Sequence, residues 1–118
     1  MNGQFKTYFL DEAITRRKQI LEQERQTTLE QVKQWLTDNG HKYGIEQAYL
    51  FGSLISPHHF TQQSDVDVAV ESIAAEDLFM AMTALAEAVG RDVDLIELPK
   101  CPFAHRIRQE GVLWTKTL

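Results

Sequence analysis

Cys101 is the only cysteine in 118 residues, so no disulfide forms within the chain and no oxidising compartment is called for. Proline and glycine are scarce too, at 3 and 6 residues, which excludes collagen-like and Pro/Gly low-complexity chains. No apolar run approaches the roughly 20 residues that span a bilayer. The opening stretch, MNGQFKTYFLDEA, has no basic segment followed by a long apolar one, so it is not read as a secretory signal. Positive charge is also short: 12 Lys and Arg stand against 17 Asp and Glu, for a net charge of −5. Such a chain lacks the clustered cations that hold nucleic-acid backbones. These absences predict a cytoplasmic protein with no membrane contact and no direct nucleic-acid binding.

What is present is ordinary globular composition, 43% hydrophobic and 25% charged, enough for one core. The charge is uneven. Residues 1–59 carry 7 basic and 7 acidic side chains, whereas residues 60–118 carry 5 and 10. The surplus acids either aid solubility or hold a divalent metal, and composition does not choose.

Asp11 to Asn39 has no Gly or Pro and is rich in good helix formers. Asp11 is the expected N-cap and Gly40 the stop. Leu29, Val32, Trp35 and Leu36 form an apolar stripe at helical spacing. The stretch Glu22–Thr28 is almost wholly polar. The back half is therefore expected to pack and the front half to project or meet a partner, giving an arm over 1–28 and a domain over 29–118. Three strand candidates follow: Gln47–Phe51, Asp65–Glu71 and Asp92–Leu98. A helix over Ala75–Val89 lies between the last two, with Leu78, Met82, Leu85 and Val89 on one face. A short helix near Phe103–Gln109 and a strand near Val112–Thr115 close the chain. The order α-β-β-α-β-α-β predicts an α/β (α+β) fold: a small mixed sheet of about four strands with helices packed on it, plus the long N-terminal helix.

Asp65–Glu71 alternates strictly, with Val66, Val68 and Val70 on one face and Asp65, Asp67 and Ala69 on the other. Asp65 and Asp67 thus project together, their Cα atoms about 6.5–7 Å apart. Acids next to a buried row are costly unless solvated, paired or on metal. Magnesium suits them, because it prefers one or two carboxylates plus water and phosphate. An exposed edge strand also explains the pair. Gly52-Ser53 ends an apolar strand, where backbone N–H groups can approach a phosphate closely; an ordinary turn has the same composition. Asp92 and Asp94 share one face of the third strand, so parity leaves both open as a third acid, either base or further ligand.

YLFGS…SDVDVAVE…RDVDLIEL resembles the minimal nucleotidyltransferases of the DNA polymerase β-type nucleotidyltransferase superfamily, over residues 29–115. The family motif is Gly-Ser, about ten residues, Asp-x-Asp, and a later strand with a third Asp. The resemblance implies a nucleotidyltransferase-like fold, with Gly52 and Ser53 as the phosphate-binding turn and Ser64 counted with them as nucleotide-binding. It implies Asp65, Asp67 and Asp94 as catalytic and metal-binding acids, which favours Asp94 over Asp92. The tail, Arg106 to Trp114, is similar to the family's closing helix and strand. Two departures stand out. The spacer is 11 residues, and the run after Gly-Ser, Leu54-Ile55-Ser56-Pro57-His58-His59, lacks the basic residue many relatives carry. Small stand-alone members are similar to antitoxins that partner a HEPN-domain ribonuclease toxin. The implied function is Mg2+-dependent transfer of AMP from ATP to a toxin tyrosine, in a homo- or hetero-oligomer. The alternative is an antitoxin of weak catalysis that neutralises its toxin by binding alone. A transferase for small molecules such as aminoglycosides usually needs a second domain, for which one small domain leaves no room.

Overall fold

The computed structural model describes residues 2–117, with side chains described from residue 8 onward. Helix α1 spans Asn2–Asn39, followed by strand β1 over Gln47–Phe51 and strand β2 over Val66–Val70. Helix α2 covers Leu78–Val89 and strand β3 covers Val93–Glu97. Helix α3, Ala104–Glu110, and strand β4, Val112–Thr115, complete the chain. The strands form one sheet in the order β3-β2-β1-β4. β1 pairs antiparallel with β2 and β4, and β2 pairs parallel with β3 across the α2 connection. The mixed four-stranded sheet and long first helix are those the sequence predicts.

The period-two pattern of the strands sorts side chains onto two faces. Ala48, Leu50, Val66, Val68, Val70 and Leu95 join Val32, Trp35 and Leu36 of α1 and Ala81 and Leu85 of α2 in the main core. Trp114 closes that core from β4 and donates its indole N–H to Thr37 Oγ1 at 3.1 Å. On the opposite face, Ala69 packs with Leu98 and with Ile107 of α3. This smaller cluster covers only part of the face, and Asp67 of β2 and Asp94 of β3 lie on the part left open.

Four differences from the sequence reading have physical causes. α1 begins at Asn2, so Asp11 is an exposed residue inside the helix and not its cap. Gly3 alone does not break it, since one glycine costs only about 1 kcal/mol in a helix. The helix predicted from Ala75 opens as a tight turn over Ala75–Asp77 and becomes α-helical at Leu78, a common start. The expected strands 65–71 and 92–98 are trimmed by one residue at each end. Finally, Glu22–Thr28 does pack. Arg25 and Thr28 are buried, because Arg25 has ionic and carbonyl partners that make its burial tolerable. Ahead of it, Tyr8, Phe9, Leu10, Ile14 and Ile20 are exposed. The molecule measures 64 × 27 × 25 Å as a result.

Candidate active site

β2 is a central strand, and its buried valine row fixes which way the acids point. With Val66, Val68 and Val70 inside the main core, Asp67 must face the other side. There it has Asp94 opposite it on β3 and Phe51 opposite it on β1. Parity alone leaves Asp92 and Asp94 equivalent; the register places Asp94 beside Asp67. The Asp92 backbone carbonyl instead accepts the Val66 N–H at 2.9 Å. Asp65 precedes β2 by one residue and is exposed, as is Asp94, while Asp67 is half-buried. Burial pushes the Asp67 carboxyl up to about 6, helped by the negative charges of Asp94 and then Asp65. Among the described residues, no Lys, Arg or His is ion-paired with these three carboxylates.

The turn after β1 meets the Asp67 carboxylate. Gly52 has a left-handed φ of +75° and opens the tight turn Gly52–Ile55. A Cβ built on Gly52 would strike Asp67 Oδ2. The glycine is therefore required twice, for its backbone angle and for the approach of the Asp67 carboxylate. Ser56 Oγ donates to the Gly52 carbonyl at 3.0 Å, and the Ser56 N–H donates to the Ser53 carbonyl at 3.2 Å. A cleft of about 520 Å³ opens here, between Gly52, Ile55 and Ser56 on one side and Phe103, Arg106 and Glu110 on the other. Arg106, which sequence reasoning read only as part of the closing helix, puts a cation in the wall facing the turn. Its partner is Glu110, at 3.2 Å. Nothing in the spacing from Gly52 signals it, because only the fold brings α3 to the turn.

Ser64 sits elsewhere. Its hydroxyl accepts the Thr61 N–H at 2.8 Å within the loop before β2. With Asp65 and Asp92 it lines a separate depression of about 720 Å³. Structure thus brings together Gly52, Asp67 and Asp94, keeps Asp65 on their flank, and places Ser64 beyond it.

Among the described residues, no three Asp, Glu, His or Cys side chains form a ready-made metal cage. Magnesium does not need one; it is commonly held by one or two carboxylates, with phosphate oxygens and water completing the shell. Asp67, half-buried and raised by burial and by the charges of Asp94 and Asp65, fits a cation supplied together with its substrate.

Residues 30–117 match the family model described as polymerase beta, nucleotidyltransferase. The chain belongs to this nucleotidyltransferase family. Solved structures agree. The crystal structure of the toxin–antitoxin MntA–HepT is similar over 78% of this chain and 73% of that one, at 25% identity and a TM-score of 0.54. A toxin–antitoxin crystal structure with AMP-PNP is similar over 75% and 73%, at 26% identity and a TM-score of 0.58. A comparison with curated proteins returned no match. No helix among the described residues is long and apolar enough to cross a membrane.

The acids of this nucleotidyltransferase domain imply a pH dependence. The ordinary carboxyl value is 3.8, and in the fold Asp67 rises to about 6. Between those values the native state holds a proton that the unfolded chain has lost, so stability falls as pH rises. The contribution is fully present below 3.8 and is lost through about pH 6. Glu22 is shifted the opposite way, down to about 2. Its stabilisation is lost only as pH falls from 4.5 through 2, so it is constant above pH 5. Thermal melts in chelator should show the Asp67 contribution shrinking from pH 5 to pH 7.5. Asp67→Asn should flatten the dependence, and identical slopes for the two proteins would refute it.

Proposed function

We propose that this chain is the antitoxin of a toxin–antitoxin pair and transfers AMP from ATP to a tyrosine hydroxyl of a HEPN ribonuclease toxin. The observation that carries the reading is Asp67, facing Asp94 across the sheet and pressed against the Gly52 turn. That juxtaposition sets a glycine turn beside carboxylates suited to a divalent cation. The likeness to a toxin–antitoxin structure with AMP-PNP supports the nucleotide and the partner.

In this reading Asp65 and Asp67 hold Mg2+ with the triphosphate, and Gly52 and Ser53 offer the turn to its phosphates. The chemistry that Mg2+ supplies there is neutralisation of charge on the phosphates. Asp94 takes the proton of the tyrosine hydroxyl. The hydroxyl oxygen bonds to the α-phosphorus, the bond to the β-phosphate oxygen breaks, and pyrophosphate leaves with that electron pair. Positioning and charge neutralisation provide most of the rate. The front of α1, ahead of the packed Glu22–Thr28 stretch, acts as an arm, and exposed Tyr8, Leu10, Ile14 and Ile20 support its contact with the toxin or a second copy. The setting is the cytoplasm.

A second reading keeps the fold and drops the chemistry: neutralisation by binding alone. It is favoured by one observation, the absence of Lys or Arg from Leu54 to His59. Mass spectrometry of the toxin after co-expression separates the two. Wild type should add the mass of one AMP to a toxin tyrosine. Asp94→Asn should add none while still binding the toxin, since loss of a general base costs about 10²–10⁴-fold in rate. An unmodified toxin beside a protective wild-type antitoxin would establish the second reading.

A further inference from the structure

The polar middle of α1 faces the two loops that carry the site. Arg25 is buried, and its Nη1 donates to the Leu54 carbonyl inside the Gly52–Ile55 turn at 3.1 Å. Its Nε and Nη2 grip the Glu22 carboxylate, with Nε–Oε1 at 2.9 Å and Nη2–Oε2 at 2.5 Å. Glu22 Oε1 in turn accepts the His58 N–H at 3.2 Å. Among the described residues, His58 is the one non-glycine with a left-handed φ, +69°, so the chain leaving the turn is held in a sparsely populated conformation. One ion pair thus holds the turn at Leu54 and the chain leaving it at His58. Because the peptide unit is planar and trans, holding the Leu54 carbonyl toward α1 aims the Ile55 N–H the other way.

A second arginine does the same for the other loop. Arg91 Nη1 donates to the carbonyls of Thr61, Gln62 and Ser64 at 3.2, 3.2 and 3.1 Å. Its guanidinium lies 4.3 Å from the centre of the Phe60 ring. Its Nη2 reaches Glu24 of α1 at 3.4 Å. The gripped loop ends at Asp65.

We propose that Glu22, Glu24 and Arg25, together with Arg91, form a polar strut that sets the phosphate turn and the Asp65 loop at their working separation. These are positioning residues; none is among the residues assigned to ATP or the acceptor. The strut rests on the transfer reading above and deepens it. It gives the polar run of α1 a task that ties the site to the helix bearing the arm.

The test compares Arg25→Met and Arg91→Met with wild type in ATP-dependent modification of the toxin, after circular dichroism shows both variants folded. kcat/KM should fall about tenfold in each, since small misplacements at a site cost rate steeply. The loss should divide differently. Arg25→Met loosens a turn that contacts bound ATP, so KM for ATP rises with kcat little changed. Arg91→Met loosens the loop carrying Asp65, so kcat falls more than KM rises. Arg25→Lys, which can reach Glu22 but lacks the fork, should recover part of the loss. Equal losses divided in the same way, or wild-type kinetics in both folded variants, would overturn the strut. Should Arg25→Met fail to fold, Glu22→Gln takes its place, with the same expected rise in KM. Hydrogen exchange at the amides of residues 53–58 reads the strut without activity: faster exchange in Arg25→Met or Glu22→Gln supports it, and unchanged exchange overturns it. A wild type that modifies nothing sinks the transfer reading alone, because the exchange result still judges the strut.

Discussion

Asp67→Asn is expected to abolish nucleotide transfer and to make the protein more stable. The loss follows from position. Asp67 lies on a central strand, against the Gly52 turn and opposite Asp94, where the transfer reading needs charge on the phosphates neutralised. Charge stabilisation of this kind is worth several kcal/mol, and each 1.4 kcal/mol is a factor of ten, so transfer should fall about 10³-fold or more. The gain follows from electrostatics. Without a cation, the Asp67 carboxylate is half-buried and repelled by Asp94 and Asp65. An amide of the same shape escapes the repulsion, so the chelated protein should melt at a higher temperature at pH 7. Activity and stability moving in opposite directions is the mark of a group retained for chemistry. Radiolabel transfer from ATP and a thermal melt read both. Retained transfer would remove Asp67 from the site, and a lower melting temperature would show that the carboxylate is structural.

Local order carried most of the sequence reading. The Val66, Val68 and Val70 alternation dictated β2, and its one-sided burial left Asp67 only one direction to face. The stripe of α2 was equally plain. Long-range pairing was not legible. Arg25 reaches Leu54 and Arg91 reaches Thr61 across 29 and 30 residues, and no periodicity records such contacts. A polar run without an apolar stripe therefore read as part of a projecting arm, although ion pairing allows it to be buried. Register was also hidden. Asp92 and Asp94 share a face by parity, and only the pairing of β2 with β3 puts Asp94 beside Asp67. Arg106 read only as part of the closing helix, because α3 reaches the turn only through the fold. The resemblance motif compensated in part, since it pointed to Gly52, Asp67 and Asp94 before any geometry was known.

Gly52 offers the most discriminating substitution, because another glycine provides its control. Gly52 and Gly90 both adopt left-handed angles, φ +75° and +69°. A side chain at either position is strained by about 1–2 kcal/mol. Their surroundings differ. A Cβ at Gly90 meets nothing within 4 Å, whereas one at Gly52 collides with the Asp67 carboxylate. Gly90→Ala should therefore lower the melting temperature and leave transfer near wild type. Gly52→Ala should carry the same strain and in addition displace Asp67, so transfer should fall to the level of Asp67→Asn and ATP binding should weaken. Gly52→Val adds more bulk at the same point and, on the transfer reading, should bind ATP least. The collision also predicts non-additivity. Asp67→Ala removes the struck oxygen, so adding Gly52→Ala to it should cost less stability than adding Gly52→Ala to wild type. Thermal melts of the four proteins in that cycle measure the coupling directly. Strict additivity, or a Gly52→Ala variant as active as Gly90→Ala, would mean that the turn and the carboxylate act independently.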